Sequence, residues 1–187
     1  MTRAQREGLV LDTAARLFYA RGVHEVGMDE LVQATGLGKA TVYRLYPSKD
    51  DLVAAYLARL AGSILAAIDA EIIRHHRDPA AALLAILDAI ETDLRRPGFR
   101  GCAFNNASIE YDDPAHPARA QARGYREALR GRLTGLATRL DQADGPALGG
   151  QLAVLVDGAY TSAAHLGPDG PAADGLGLAR HLIRERS

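Results

Sequence analysis

Apolar residues in this chain recur at intervals of three and four, and nowhere alternate with a period of two for long enough to build a strand. Val10, Ala14, Leu17 and Phe18 stand at i, i+4, i+7 and i+8, one stripe of an amphipathic helix. Leu52, Tyr56, Leu60, Ile64 and Ala67 repeat the helical spacing further on. Alanine and leucine abound and aromatic residues make up only 5% of the chain, a composition that favours helix. The fold class expected is therefore all-α. Punctuation divides the helices: Gly22 after Arg21 suits a left-handed C-cap, TGLG and then Pro47-Ser48 break the pattern, and Asp78-Pro79 reads as an N-cap with proline at N1. Helices are expected at 3–21, 28–35 and 39–46, then from a Ser48 N-cap to about Arg74, and from Pro79 to about Arg95. A short one in CAFNNASIEY, a long one to about Leu140 and two last at about 147–166 and 172–185 bring the total to about nine.

The charge pattern points to one stretch. The chain has 187 residues, is 48% apolar and carries a net charge of -1, so it has no polybasic coat for nucleic acid. Yet its 22 cationic side chains include only two lysines, Lys39 and Lys49, which bracket a short helix. Residues 27–46 form two short helices joined by a glycine-containing turn, the pattern of a helix-turn-helix whose second helix enters the DNA major groove. With Val42 facing inward, Leu45 and Tyr46 fall beside it, while Ala40 and Arg44 point the opposite way, flanked by Thr41 and Tyr43. That outward face suits a duplex: Arg44 for a guanine edge, the methyl groups of Ala40 and Thr41 for a thymine methyl, and the Tyr43 hydroxyl for a phosphate. Lys39 stands at the leading tip of the helix, and Lys49 adds a cation at the start of the next, where backbone N–H groups favour phosphate. Spacing alone leaves open a helical hairpin with merely solvated arginines.

From Arg3 to Leu52 the chain resembles the DNA-binding head of the TetR family of bacterial transcriptional regulators. The resemblance lies in Ala15, Leu17, Phe18, Gly22 and Val23, then Glu30-Leu31-Val32, Gly36-Leu37, Thr41-Val42-Tyr43, Tyr46-Pro47-Ser48-Lys49 and Leu52. It implies DNA contacts from Lys39, Ala40, Thr41, Tyr43 and Arg44, with Lys49 on phosphate. Gly38 departs from the serine frequent there, and Leu45 from a polar aromatic residue or histidine, so no phosphate role passes to Leu45. The resemblance also implies a division into a helix-turn-helix head at 1–48 and a ligand-binding and dimerisation body at 49–187. It further implies a homodimer on a palindromic double-stranded DNA operator, and an unidentified small-molecule effector that relieves repression. The last two helices of each chain would form the dimer bundle. Small residues there, Gly158, Ala159, Ser162 and Ala163, with Leu155 alongside, allow close helix approach, although they serve a single subunit's interior equally well. GCAFNNASIEY resembles a stretch recurring in one subgroup of the family, through Gly101, Cys102, Phe104, Asn106 and Glu110. Cys102, Phe104 and Asn105 are thereby pocket candidates, and Asn106 and Glu110, at i and i+4, are placed to face one another or a ligand.

Other chemistry is not indicated. Cys102 is the sole cysteine, which leaves neither a disulfide framework nor a CxxC metal site. The six histidines lack HxxxH or HExxH spacing, and adjacent His75 and His76 diverge by about 100° on a helix. No metal or cofactor is expected, nor a catalytic set: no Ser/His/Asp arrangement, paired carboxylates or phosphate loop has usable spacing. The N-terminus is charged too soon for a signal sequence, and no apolar run is expected to approach the ~20 residues of a membrane span. A cytoplasmic location without a membrane partner is the expectation. The rival readings are a helical-bundle enzyme or carrier that has lost DNA recognition, and a helix-turn-helix used for protein docking.

Overall fold

The computed structural model describes all 187 residues and contains nine α-helices and no strand. They are α1 (Arg3–Arg21), α2 (Met28–Thr35), α3 (Lys39–Leu45), α4 (Lys49–Arg74), α5 (Pro79–Leu94), α6 (Ala103–Ile109), α7 (Pro117–Leu140), α8 (Gly145–Leu166) and α9 (Pro171–Arg184). Local chemistry sets most boundaries. Thr2 and Gln5 close a capping box on α1, each side chain bonding the other's backbone N–H. Ser48 and Asp51 do the same for α4: Ser48 Oγ accepts from the Asp51 N–H at 3.1 Å, and Asp51 Oδ2 accepts from the Ser48 N–H at 3.1 Å. Asp78 caps α5 through the Ala81 N–H at 2.9 Å, with Pro79 at the first helical position.

Two expectations need correction. Gly22 ends α1 at φ 95° and ψ 160°, an extended conformation open essentially to glycine alone rather than the left-handed helical one. The second concerns α4, which is long and apolar enough by length and composition to cross a membrane. Its charges are sparse because its stripes are alanine, leucine and isoleucine. Leu52, Val53, Tyr56, Leu57 and Ile68 are buried against protein, and Arg59 and Asp69 make ion pairs with Asp12 and Arg132.

The chain divides into two compact units. The first comprises Met1–Gly62 and Ala103–Gly124, the second Ser63–Cys102 and Tyr125–Ser187. In the first, Val10, Ala14, Phe18, Leu31, Val42 and Leu52 are buried, with the Phe18 and Tyr56 rings tilted at 5.9 Å. Each buried valine, leucine or phenylalanine side chain there contributes about 1.5–3 kcal/mol relative to exposure.

The second unit has a core of Leu83, Ile86, Leu87, Leu133, Leu148, Leu152, Leu176 and Ile183, drawn from α5, α7, α8 and α9. Here α7 and α8 approach through glycine. A Cβ at Gly149 would lie 2.5 Å from Thr134 Cα, and one at Gly145 2.4 Å from Thr138 Cα, so neither position admits a side chain without moving backbone. Arg180 of α9 binds Asp88 at 2.7 Å and Glu91 at 2.6 Å, tying α9 to α5.

Candidate nucleic-acid interface

The turn between α2 and α3 is short because Gly36 takes a left-handed conformation (φ 66°, ψ 9°) and its N–H returns to Gln33. The Thr35 hydroxyl donates to the Val32 carbonyl and accepts from the Leu37 N–H, which fixes the turn from within. Val42 is 0% exposed and anchors α3 in the unit's core. On the opposite side Lys39, Ala40 and Arg44 are exposed, with Thr41 and Tyr43 half-buried at the flanks. Leu45 and Tyr46 are half-buried beside Val42.

The two lysines are engaged by the protein itself. Lys39 Nζ lies 2.7 Å from Asp29 Oδ1 at the start of α2, which raises its pKa through that hydrogen bond and the carboxylate's charge, and 5.7 Å from the Tyr43 ring centroid. Lys49 Nζ donates to the carbonyl of His24 at 3.3 Å. Arg44 is exposed on that side and is not held by an ion pair within the chain. The side chains that point away from the core of α3 thus form a small cationic face with an aromatic flank.

Over residues 10–56 the chain matches the pattern of the family described as bacterial regulatory proteins, tetR family. The solved structure of a TetR-family transcriptional regulator from Streptomyces coelicolor has a TM-score of 0.91 at 34% identity, covering 98% of this chain and 97% of that one. The chain belongs to the TetR family. A second TetR-type regulator, from Streptomyces avermitilis, has a TM-score of 0.79 at 29% identity, with 98% and 99% of the two chains covered. The HTH-type transcriptional activator FasR of Mycolicibacterium smegmatis is 32% identical over 104 residues, which are 54% of this chain and 46% of FasR. The match therefore spans less than half the length of that curated relative.

In this TetR-family chain the other candidate residues fall in different surroundings. Ala159 and Ala163 of α8 are buried in the second unit's own core, whereas Gly158 is exposed and Leu155 and Ser162 are half-buried. Around the latter, Val154, Leu166 and Leu178 are apolar and 71%, 67% and 48% exposed. Leu166 belongs to the run that the sequence offers for close helix approach, whereas Val154 and Leu178, large aliphatic residues on the polar side of the α8 and α9 helical wheels, were not singled out. Cys102 is half-buried at the edge of the second unit; Phe104 is a core residue of the first at 2% exposure, and Asn105 is half-buried there.

Glu110 is engaged by the backbone of the α1–α2 turn. Its carboxylate accepts hydrogen bonds from the backbone N–H groups of Val23 and His24. A polar aromatic cluster in the second unit was also missed. The Tyr160 hydroxyl donates to Asp93 Oδ2 at 2.9 Å, Asp93 binds Arg96 at 2.7 Å, and the Phe99 ring lies 5.8 Å from that of Tyr160. Burial, then the charge of Cys102 for Tyr125 and of Asp93 for Tyr160, pushes both phenols far above their ordinary range, which keeps them neutral donors. Tyr125 and Tyr160 are the only tyrosines in that unit, the one signal the sequence offered.

Proposed function

We propose that this protein is a sequence-specific DNA-binding transcriptional regulator that works as a homodimer on a palindromic operator. The single observation that carries the reading is the polarity of α3: Val42 fully buried, with Lys39, Ala40 and Arg44 exposed on the far side. Arg44 has the fork geometry for a guanine edge, Ala40 and Thr41 offer methyl groups to a thymine, and Tyr43 and Lys49 serve the phosphate backbone. A lone helix-turn-helix buries little surface, and two copies reading half-sites about 34–36 Å apart double it. Exposed Val154, Leu166 and Leu178, with Leu155, Gly158 and Ser162, supply the apolar face through which α8 and α9 of two chains would pair.

The protein would repress by occupying a promoter, in the cytoplasm, and a small molecule bound in the second unit would release it. The buried hydroxyls of Tyr125 and Tyr160 and the Asp93 carboxylate are the groups on which such an effector would be read, in preference to Phe104. Helices α4 and α7 each contribute residues to both units, so an effector that favours one arrangement of them acts on the head, and DNA must oppose the effector by the same factor. FasR carries the name of an activator; transcription in vitro from a promoter bearing the operator decides the sign, which repression requires to be negative.

Selection of bound fragments from random duplexes tests the reading. An inverted repeat is the expected product, and Arg44→Ala lowers affinity for it by about 1–3 kcal/mol while relaxing preference at one base pair of each half-site. Recovery of no common sequence contradicts it.

A further inference from the structure

We infer that Glu110, at the end of α6, is a positioning residue for DNA reading: it holds the turn that leads into the helix-turn-helix. Its two carboxylate oxygens grip successive backbone N–H groups, Oε1 accepting from Val23 at 2.8 Å and Oε2 from His24 at 2.6 Å, across 87 and 86 residues of sequence. Oε2 also lies 3.1 Å from His24 Nδ1. The Glu110 side chain is only 20% exposed and the bond to Val23 is partly buried; both bonds are charge-assisted, the stronger class of hydrogen bond.

The neighbouring residue is shaped for this grip. A Cβ on Gly22 would lie 3.2 Å from Glu110 Oε1, and Gly22 holds φ 95°, which a side chain would resist. From the other side Lys49, at the first turn of α4, donates to the His24 carbonyl at 3.3 Å. One carboxylate and one ammonium therefore fix the N–H and the C=O of the same residue.

The segment that carries Glu110 is itself fastened to α4. Tyr111 stacks on His116 with ring centroids 3.5 Å apart and lies 5.2 Å from the His24 ring. His116 Nδ1 accepts from the Ala118 N–H at 3.2 Å, and its Nε2 lies 3.4 Å from Asp50 Oδ2 without forming a hydrogen bond. Only Glu25, Val26 and Gly27 separate this clamped turn from the start of α2. A loose turn lets α2 and α3 sample directions unfit for the groove, and apparent affinity falls in proportion to the competent fraction.

This inference rests on the DNA-reading function proposed above, and the experiment separates the two. Wild type and Glu110→Gln are titrated with the selected operator duplex over a range of salt, and amide hydrogen exchange at Val23 and His24 is followed with and without duplex. Glutamine retains one acceptor and turns an NH₂ toward the second N–H. The expected results are about tenfold weaker operator binding with an unchanged salt slope, since no phosphate contact is lost, and a thermal midpoint close to wild type. In wild type the operator must slow exchange at both amides, because a clamp that favours DNA is favoured by DNA to the same extent. Operator affinity equal to wild type in a folded Glu110→Gln protein overturns the inference while leaving the function intact. Should that variant not fold, the wild-type exchange decides alone: unchanged rates on adding operator overturn it, slowed rates support it. Failure of wild type to bind any duplex removes the function, and this role with it.

Discussion

Lys39 illustrates what a single residue contributes and what its sequence context conceals. Its place at the tip of α3 followed from counting positions around Val42, but its ion pair with Asp29 did not, because that contact depends on how α2 and α3 cross. Both partners are exposed, at 63% and 78%, so the pair adds little to stability and is screened by salt. On the proposed DNA-reading function Asp29 would compete with the duplex for the ammonium. Asp29→Asn is expected to strengthen duplex binding about two- to fivefold at low salt, with the gain shrinking as salt rises; fluorescence anisotropy with a labelled duplex measures it. An unchanged or weakened affinity would place Lys39 away from DNA. The outward direction of Ala40 and Arg44 was readable for a simple reason: one fully buried valine fixes the rotation of a seven-residue helix. The engagement of Lys49 by His24 was not readable, being a contact across 25 residues.

At the scale of elements, periodicity and caps carried most of the information. Ser48 and Asp78 start helices because their oxygens satisfy backbone N–H groups that otherwise have no partner, a local chemistry visible in sequence. The capping box of Thr2 with Gln5 has the same logic and was available to the same reading. Helix contacts were less legible. Small residues mark where two helices can approach, but not which partner they meet. The runs at 145–149 and 158–163 look alike in composition, yet only the first shows glycines that a Cβ would drive into another helix. Gly149→Ala is accordingly expected to destabilise the fold by about 1–3 kcal/mol or more, as overpacking does when backbone must shift. Gly131→Ala, at an exposed position of α7 where a Cβ meets nothing within 4 Å, should stabilise by about 0.5–1 kcal/mol through reduced freedom of the unfolded chain. Urea denaturation of the two variants checks both signs, and equal midpoints would refute the close α7–α8 contact. The grip of α6 on the α1–α2 turn lay furthest from sequence reasoning. Glu110 was visible as part of a recurring motif, but its partners are backbone N–H groups, which leave no trace in side-chain pattern.

For the whole molecule, two arginine–carboxylate pairs contribute to the loss of stability in acid. Hydrogen bonds from Arg132 to Asp69 and from Arg180 to Glu91 hold both carboxyls below their ordinary values, burial opposing each and the added charge of the arginine helping. A folded pKa below the unfolded one gives stability that is fully present above the unfolded value, about 3.9 for Asp and 4.3 for Glu, and is lost as pH falls toward the folded one. The urea midpoint should therefore drop as pH falls below about 4, and drop less in Arg180→Met, which returns Glu91 toward its unfolded value. Parallel curves for the two proteins would contradict the assignment. The all-helical architecture was legible at this scale because no competing period exists anywhere in the chain, whereas the grouping of α6 with the first helices was hidden by its distance along the chain. The central claim, that α3 of two subunits reads a duplex, is tested most directly by operator affinity as a function of salt. The account predicts a straight line of log affinity against log salt with a slope of about -3.6 or steeper, as two lysines from each of two subunits release phosphate counterions, and a line shallower by about 1.8 for Lys49→Ala, which removes one lysine from each subunit. A flat line, or a Lys49→Ala protein indistinguishable from wild type together with an Arg44→Ala protein of unaltered sequence preference, would contradict it.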